Sequence, residues 1–208
     1  MKDLVLLVPD NKIEQTLLGL LTRTQALGIR SLELEKPVVH PHRDPGVYHT
    51  AREMLAPYER ECRYALVVFD AAWEGAPSSD AGELAAHVER NCRCAWGERV
   101  RCIVIVPEIE AWVWTESPRV SEALGWSSWP DLRAWLQRNG LWAAGERKPA
   151  VPKRAFEDAV RERRLPPSSA IFSRIARTAS FSRCTDPSFR QLVSVLRQWF
   201  SISTNPTD

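Results

Sequence analysis

The chain has 208 residues, 44% of them hydrophobic and 26% charged, with 28 Lys and Arg against 26 Asp and Glu. This is the ordinary composition of a globular chain with a sizeable core, one large domain or one domain with an appended part. A net charge of +2 does not by itself announce nucleic-acid binding, and no apolar run approaches the roughly 18 residues that span a bilayer.

Residues 4–8 are a continuous apolar run, which predicts a buried strand. Pro9, Asp10 and Asn11 break it. Ile13, Leu17, Leu18, Leu20 and Leu21 then recur at helical spacing, with Asn11 the expected N-cap and Gly28 the expected C-cap. Residues 31–34 read as a second strand, 37–46 as a loop rich in proline and histidine, and 47–58 as a helix. Residues 64–69 form the next strong strand, ending at Asp70. A loop over 71–79 leads into a helix over 80–92, whose periodicity runs through Leu84, Ala85 and Val88. The third strong strand covers 100–106 and ends at Pro107 and Glu108, with a helix following over 109–115. Strands alternating with helices imply parallel pairing and right-handed crossovers.

After Ser117 the strand-like runs stop. Helices are expected over 118–124, 129–137, 153–163, 170–177 and 187–200. The predicted organisation is an α/β core over 1–116, a helical extension over 117–200 packed on that core, and a frayed tail over 201–208. The nine tryptophans are expected mostly in the core. The five cysteines, Cys62, Cys92, Cys94, Cys102 and Cys184, lack the paired spacing of a zinc site. With no secretory signal in view, an odd number suits a reducing compartment and a cytoplasmic protein. No dinucleotide fingerprint or P-loop occurs, and Ser168, Ser169 and Ser173 lack the context of a hydrolase elbow.

The chemistry lies in the acids that follow the strands. Asp10 and Glu14 are four residues apart after the first, Asp70 and Glu74 four apart after the next strong one, and Glu108 and Glu110 follow the last. Ligands of open parallel sheets bind outside the carboxyl ends of the strands. Carboxylates gathered there repel one another unless a cation neutralises them, and Mg²⁺ or Mn²⁺ suits an all-oxygen set and could act on a phosphodiester. Asp10, Glu14, Asp70 and Glu74 are the candidate metal ligands. Asp10, Glu14, Asp70, Glu108 and Glu110 are the candidate catalytic set. Each acid alone also suits a helix cap.

Lys148, Lys153 and Arg154 form a basic cluster suited to phosphate contact, and His42, in the loop from His40 to Asp44, could join them. The alternatives are solvated helix faces and a stiffened surface loop. Arg161, Arg163, Arg164, Arg174, Arg177 and Arg183 extend the positive charge, with the solvated-face reading preferred.

The order strand–acid–helix, strand–Asp, strand–Pro-Glu resembles the TOPRIM-like proteins, and more closely a small bacterial group of TOPRIM-related proteins. Asp10 through Glu14 stands where that group has Glu-Gly-x-Thr-Glu. Pro107 through Trp112 is similar to its proline–acid–Phe–Glu–Ala–Trp segment. Lys148-Pro149 and Lys153-Arg154 match its Lys-Pro and Ser-Lys-Arg elements, and residues 184–196 its closing Cys-Pro-x-Phe helix. The family's Asp-x-Asp is Asp70-Ala71-Ala72 here, with Glu74 as a substitute from another position. The resemblance implies a TOPRIM-like fold and a place among phage-defence components, methylation-associated ones in particular. It implies Mg²⁺-dependent nucleic-acid hydrolysis or, alternatively, a catalytically degenerate subunit that binds nucleic acid or a partner defence protein.

Overall fold

The computed structural model describes residues 1–182 and 184–202. Four strands, β1 (Lys2–Val8), β2 (Val38–Val39), β3 (Cys62–Asp70) and β4 (Val100–Ile105), form an all-parallel sheet in the order β2-β1-β3-β4. Side chains alternate across it. Leu4, Leu6, Val8, Leu66, Val68, Ile103 and Ile105 enter one core, and Val5, Leu7, Ala65, Val67, Phe69, Cys102 and Val104 the other. Both faces are covered by helices, which is why the strands read as unbroken apolar runs.

One face carries α3 (Arg43–Leu55) and α4 (Ala81–Trp96), anchored by Val47, Ala51, Leu84, Val88 and Trp96. The other carries α1 (Asn11–Leu21), and the short α2 (Thr24–Leu27) follows it in the chain. To that same core the second half adds α5 (Pro118–Ala123), α6 (Trp129–Arg138), α7 (Pro152–Glu162), α8 (Ser169–Thr178) and α9 (Pro187–Trp199). α1 and α8 pack closest where Gly19 faces Ala176. A Cβ on Gly19 would lie 2.8 Å from that of Ala176, so a larger residue would force the helices apart. None of the nine tryptophans is exposed, so they fill the interior rather than form an outward aromatic face.

Several expectations are corrected. Residues 31–34 form no strand; Leu34 makes a single bridge to Leu4, and the paired strand is Val38–Val39, inside the expected loop. The whole stretch follows the edge of β1, since the N–H groups of Glu35 and His40 donate to the carbonyls of Leu4 and Val8. Pro37, which has no N–H, interrupts it. The next helix starts at Arg43, four residues earlier than expected. The expected helix after β4 is a 3-10 turn, Ile109–Trp112. Ser201, the first residue of the expected tail, bridges Ile29. The rest of that expectation, over 203–208, and Arg183 lie outside the described residues. No described helix is long and apolar enough to cross a membrane.

Candidate functional site

In the order β2-β1-β3-β4 the chain moves from β1 outward to β2, then crosses back past β1 to β3, so the strand order reverses at β1 and β3. This opens a crevice at the carboxyl ends of β1 and β3, where open α/β sheets bind ligands. Asp10 follows β1, Asp70 ends β3, and the 3-10 turn after β4 brings Glu108 and Glu110 alongside.

Each acid is held differently. Asp10, not Asn11, caps α1. Its Oδ1 accepts from the N–H groups of Lys12 (2.8 Å) and Ile13 (3.0 Å). Glu110 is buried, 1% exposed, and Lys12 Nζ lies 3.1 Å from its Oε1. Glu108 pairs with Lys153 Nζ at 2.6 Å, and this contact raises the lysine's pKa. Lys153 enters from the first turn of α7, so the second half of the chain supplies part of the crevice.

Asp44 is the acid that sequence reasoning missed as a site residue. Its Oδ1 accepts from the backbone N–H of Asp70 at 2.9 Å. The loop that delivers it is built around His40, which is 4% exposed. His40 Nδ1 accepts from His42 N–H, which makes Nε2 the protonated nitrogen facing Thr50 Oγ1 at 2.8 Å. That hydroxyl in turn donates to Gly46 O. Gly46 is required because a Cβ there would fall 2.1 Å from the imidazole. Burial lowers the pKa of His40 and keeps it neutral and structural. The sequence places the loop from His40 to Asp44 after a strand, but the histidine in it, His42, is the residue that spacing and residue type favour, and Asp44 has no second acid beside it to mark it.

Asp70 is the centre. Its Oδ1 is out of contact with solvent and has no hydrogen-bond partner among the described residues. Its pKa is raised well above the usual carboxylate range, first by burial and then by the charges of Asp44, Glu110, Asp10 and Glu108. Burial and the negative charge of Asp10 also raise Asp44, against the pull of the Asp70 N–H. Five acids thus converge, with two ammonium groups in direct contact. The arrangement can hold a proton on Asp70 or a hard cation beside it, and can present Lys12 and Lys153 to an anionic oxygen.

The other expected residues stand elsewhere. Glu74 is exposed in the loop after β3, and Glu14 lies half-buried on α1. Neither is among the charges that chiefly raise Asp70, because only Asp10 of the first pair turns back over the strand end. His42 is exposed, and its N–H is engaged by His40. Arg154 is exposed on α7, 3.6 Å from Asp158. Lys148 pairs with Asp186 at 2.7 Å in a separate buried network, where Trp112 Nε1 donates to Asp186 and Ser188. The described residues contain no group of three or more His, Cys, Asp or Glu side chains that could hold a metal ion.

No family model matches the chain, and no curated protein or solved structure is significantly similar to it.

Proposed function

We propose that the crevice binds Mg²⁺ or Mn²⁺ and hydrolyses phosphodiester bonds in nucleic acid, in a TOPRIM-like domain that serves a bacterial anti-phage defence system. The observation that carries the reading is Asp70 Oδ1, buried and without a partner among the described residues, near four other acids. Such an oxygen is costly without a proton or a cation. The donors are all oxygen, which suits a hard cation. Mg²⁺ is typically held by one or two carboxylates with waters and substrate phosphate completing its shell, so a crevice without a three-acid cage still fits it.

Asp70 and Asp10 would hold the cation, with Asp44 fixing the backbone of Asp70. When bound, the cation supplies Lewis-acid polarisation of a phosphoryl oxygen and an activated water. Lys153 and Lys12 would meet the phosphate, each held by its glutamate. The defence role and its partner proteins rest on the order of the motifs. In the test, purified protein is incubated with single- and double-stranded DNA and RNA in Mn²⁺, wild type against Asp70→Ala, with Mn²⁺ binding followed by calorimetry. Cleavage and binding that are both lost in the variant support the reading. Neither activity nor binding in the wild type overturns it.

A second reading is a degenerate TOPRIM-fold subunit that binds nucleic acid or a partner protein without catalysis. It is favoured by Glu108 and Glu110 already being paired with lysines, and by Ala72 standing at the family's second acid. Mn²⁺ binding without cleavage would support it.

A further inference from the structure

Charge is distributed unevenly along the chain. Residues 163–202 carry seven arginines and a single acid, Asp186, which Lys148 engages. Two of these arginines, Arg190 and Arg197, border a groove of about 480 Å³ between α9, the end of α1 and α2, where Arg23 joins them. Its floor is apolar, formed by Leu20, Phe181, Phe189 and Val193, and its rim carries Arg23, Arg190 and Arg197. No acid lines it. An adjoining concavity of about 380 Å³ shares Ser182, Cys184 and Arg190, and adds Arg147, Lys148 and Glu116.

The rim is largely pre-set. Arg23 Nη1 donates to the carbonyls of Ala176 and Ala179, and Arg197 Nε donates to Leu27 O at 2.7 Å. Both guanidinium planes are thereby oriented while keeping further N–H donors. The Arg190 side chain is exposed and makes no hydrogen bond or ion pair with the described residues. Fixed donors lose little freedom on binding a carboxylate.

From this we infer that the groove docks an acidic segment of a partner protein whose apolar side chains enter the floor. The pairing of arginines with an apolar floor selects for that chemistry. A nucleic-acid backbone needs positive charge but no apolar floor. A base needs an open aromatic platform, whereas Phe181 and Phe189 are stacked on each other, with centroids 5.0 Å apart. The inference is independent of the crevice, since it uses none of its residues.

The test selects peptides from a randomised display library on the full chain. The best are then titrated by fluorescence polarisation against wild type, Arg190→Glu, Ser194→Trp and Asp70→Ala, beside a 20-nucleotide single strand. Ser194 lines the groove and is exposed, so Trp there would fill it without entering the core. Unchanged melting temperatures establish that the variants fold. The expected result is enrichment of peptides that combine Asp or Glu with Leu, Ile or Phe. Their affinity should fall at least tenfold in Arg190→Glu and in Ser194→Trp, and again when their acids become amides, while Asp70→Ala binds normally. No enrichment, enrichment without acids, affinities unchanged in both groove variants, or an oligonucleotide that binds through Arg190 more tightly than any peptide would each overturn it.

Discussion

Asp186 is buried and Asp70 half-buried with its Oδ1 shut away from solvent, yet their carboxyls are driven in opposite directions. Burial pushes both up. At Asp186 the ammonium of Lys148 and the hydroxyl of Ser188 outweigh burial, and the net pKa is lowered. At Asp70 the chief influences all act in the same direction as burial; one oxygen has no donor among the described residues, and four acids add their charge. A buried carboxylate whose acceptors are all used joins elements together. One left incomplete is available to a ligand, and that incompleteness distinguishes a site from a joint.

The largest expected effect comes from breaking the satisfied acid. Asp186→Ala leaves Lys148 without its acceptor, takes away one of the two acceptors of the Trp112 N–H, and should cost about 3–5 kcal/mol. Urea unfolding, followed by the red shift of tryptophan emission as the chain unfolds, measures it. Asp70→Asn should act in the opposite sense. A carboxyl whose folded pKa is raised contributes stability that is fully present below its unfolded value, near 3.8, and is lost as pH rises through the folded value. At pH 8 the variant should therefore be more stable than wild type by about 1–3 kcal/mol, with the difference shrinking towards pH 4. Mn²⁺ at a hundred times its Kd should restore about 2.7 kcal/mol to the wild type and nothing to the variant, as calorimetric scans would show.

Asp3 offers a smaller contrast at the other end of the sheet. The side-chain bond from Arg30, at 2.6 Å, holds its pKa at about 2. A lowered pKa contributes stability above the unfolded value, lost as pH falls through the folded one. Asp3→Asn should cost about 1 kcal/mol at pH 7, reduced by solvent at the exposed arginine, and almost nothing near pH 2. Smallest of all, Glu74→Gln should shift stability by less than about 0.5 kcal/mol and leave Mn²⁺ affinity unchanged, because the side chain is exposed. Weakened Mn²⁺ binding in that variant would return Glu74 to the site and blur the contrast between Asp70 and its surroundings.

Much of this was legible in the residues. Runs such as Leu4–Val8 and Val100–Ile105 are continuous because both faces of a parallel sheet are covered, so they identify themselves. The helices of the second half were found within one or two residues, since their apolar periodicity and their Ser, Asp or Pro starts are local signals. The edge strand was not found. Val38–Val39 is only two residues long, and its pairing depends on the neighbour it meets rather than on its own pattern. Asp44 is not marked either, since it stands alone in a loop whose histidines draw the reading.

By itself the sequence determined the kind of element each segment forms and that acids follow the strands, because propensity and periodicity act over a few residues. Only the tertiary structure decided which acids meet. Asp10, Asp44, Asp70, Glu108 and Glu110 converge through strand order and crossovers, while Glu14 and Glu74, equally placed by spacing, are left out. It also decided that Lys148 serves a buried joint and Lys153 the crevice, though they are five positions apart. The reason is range: charges act through space over several ångströms, and the chain's spacing does not record which ones the fold brings within reach.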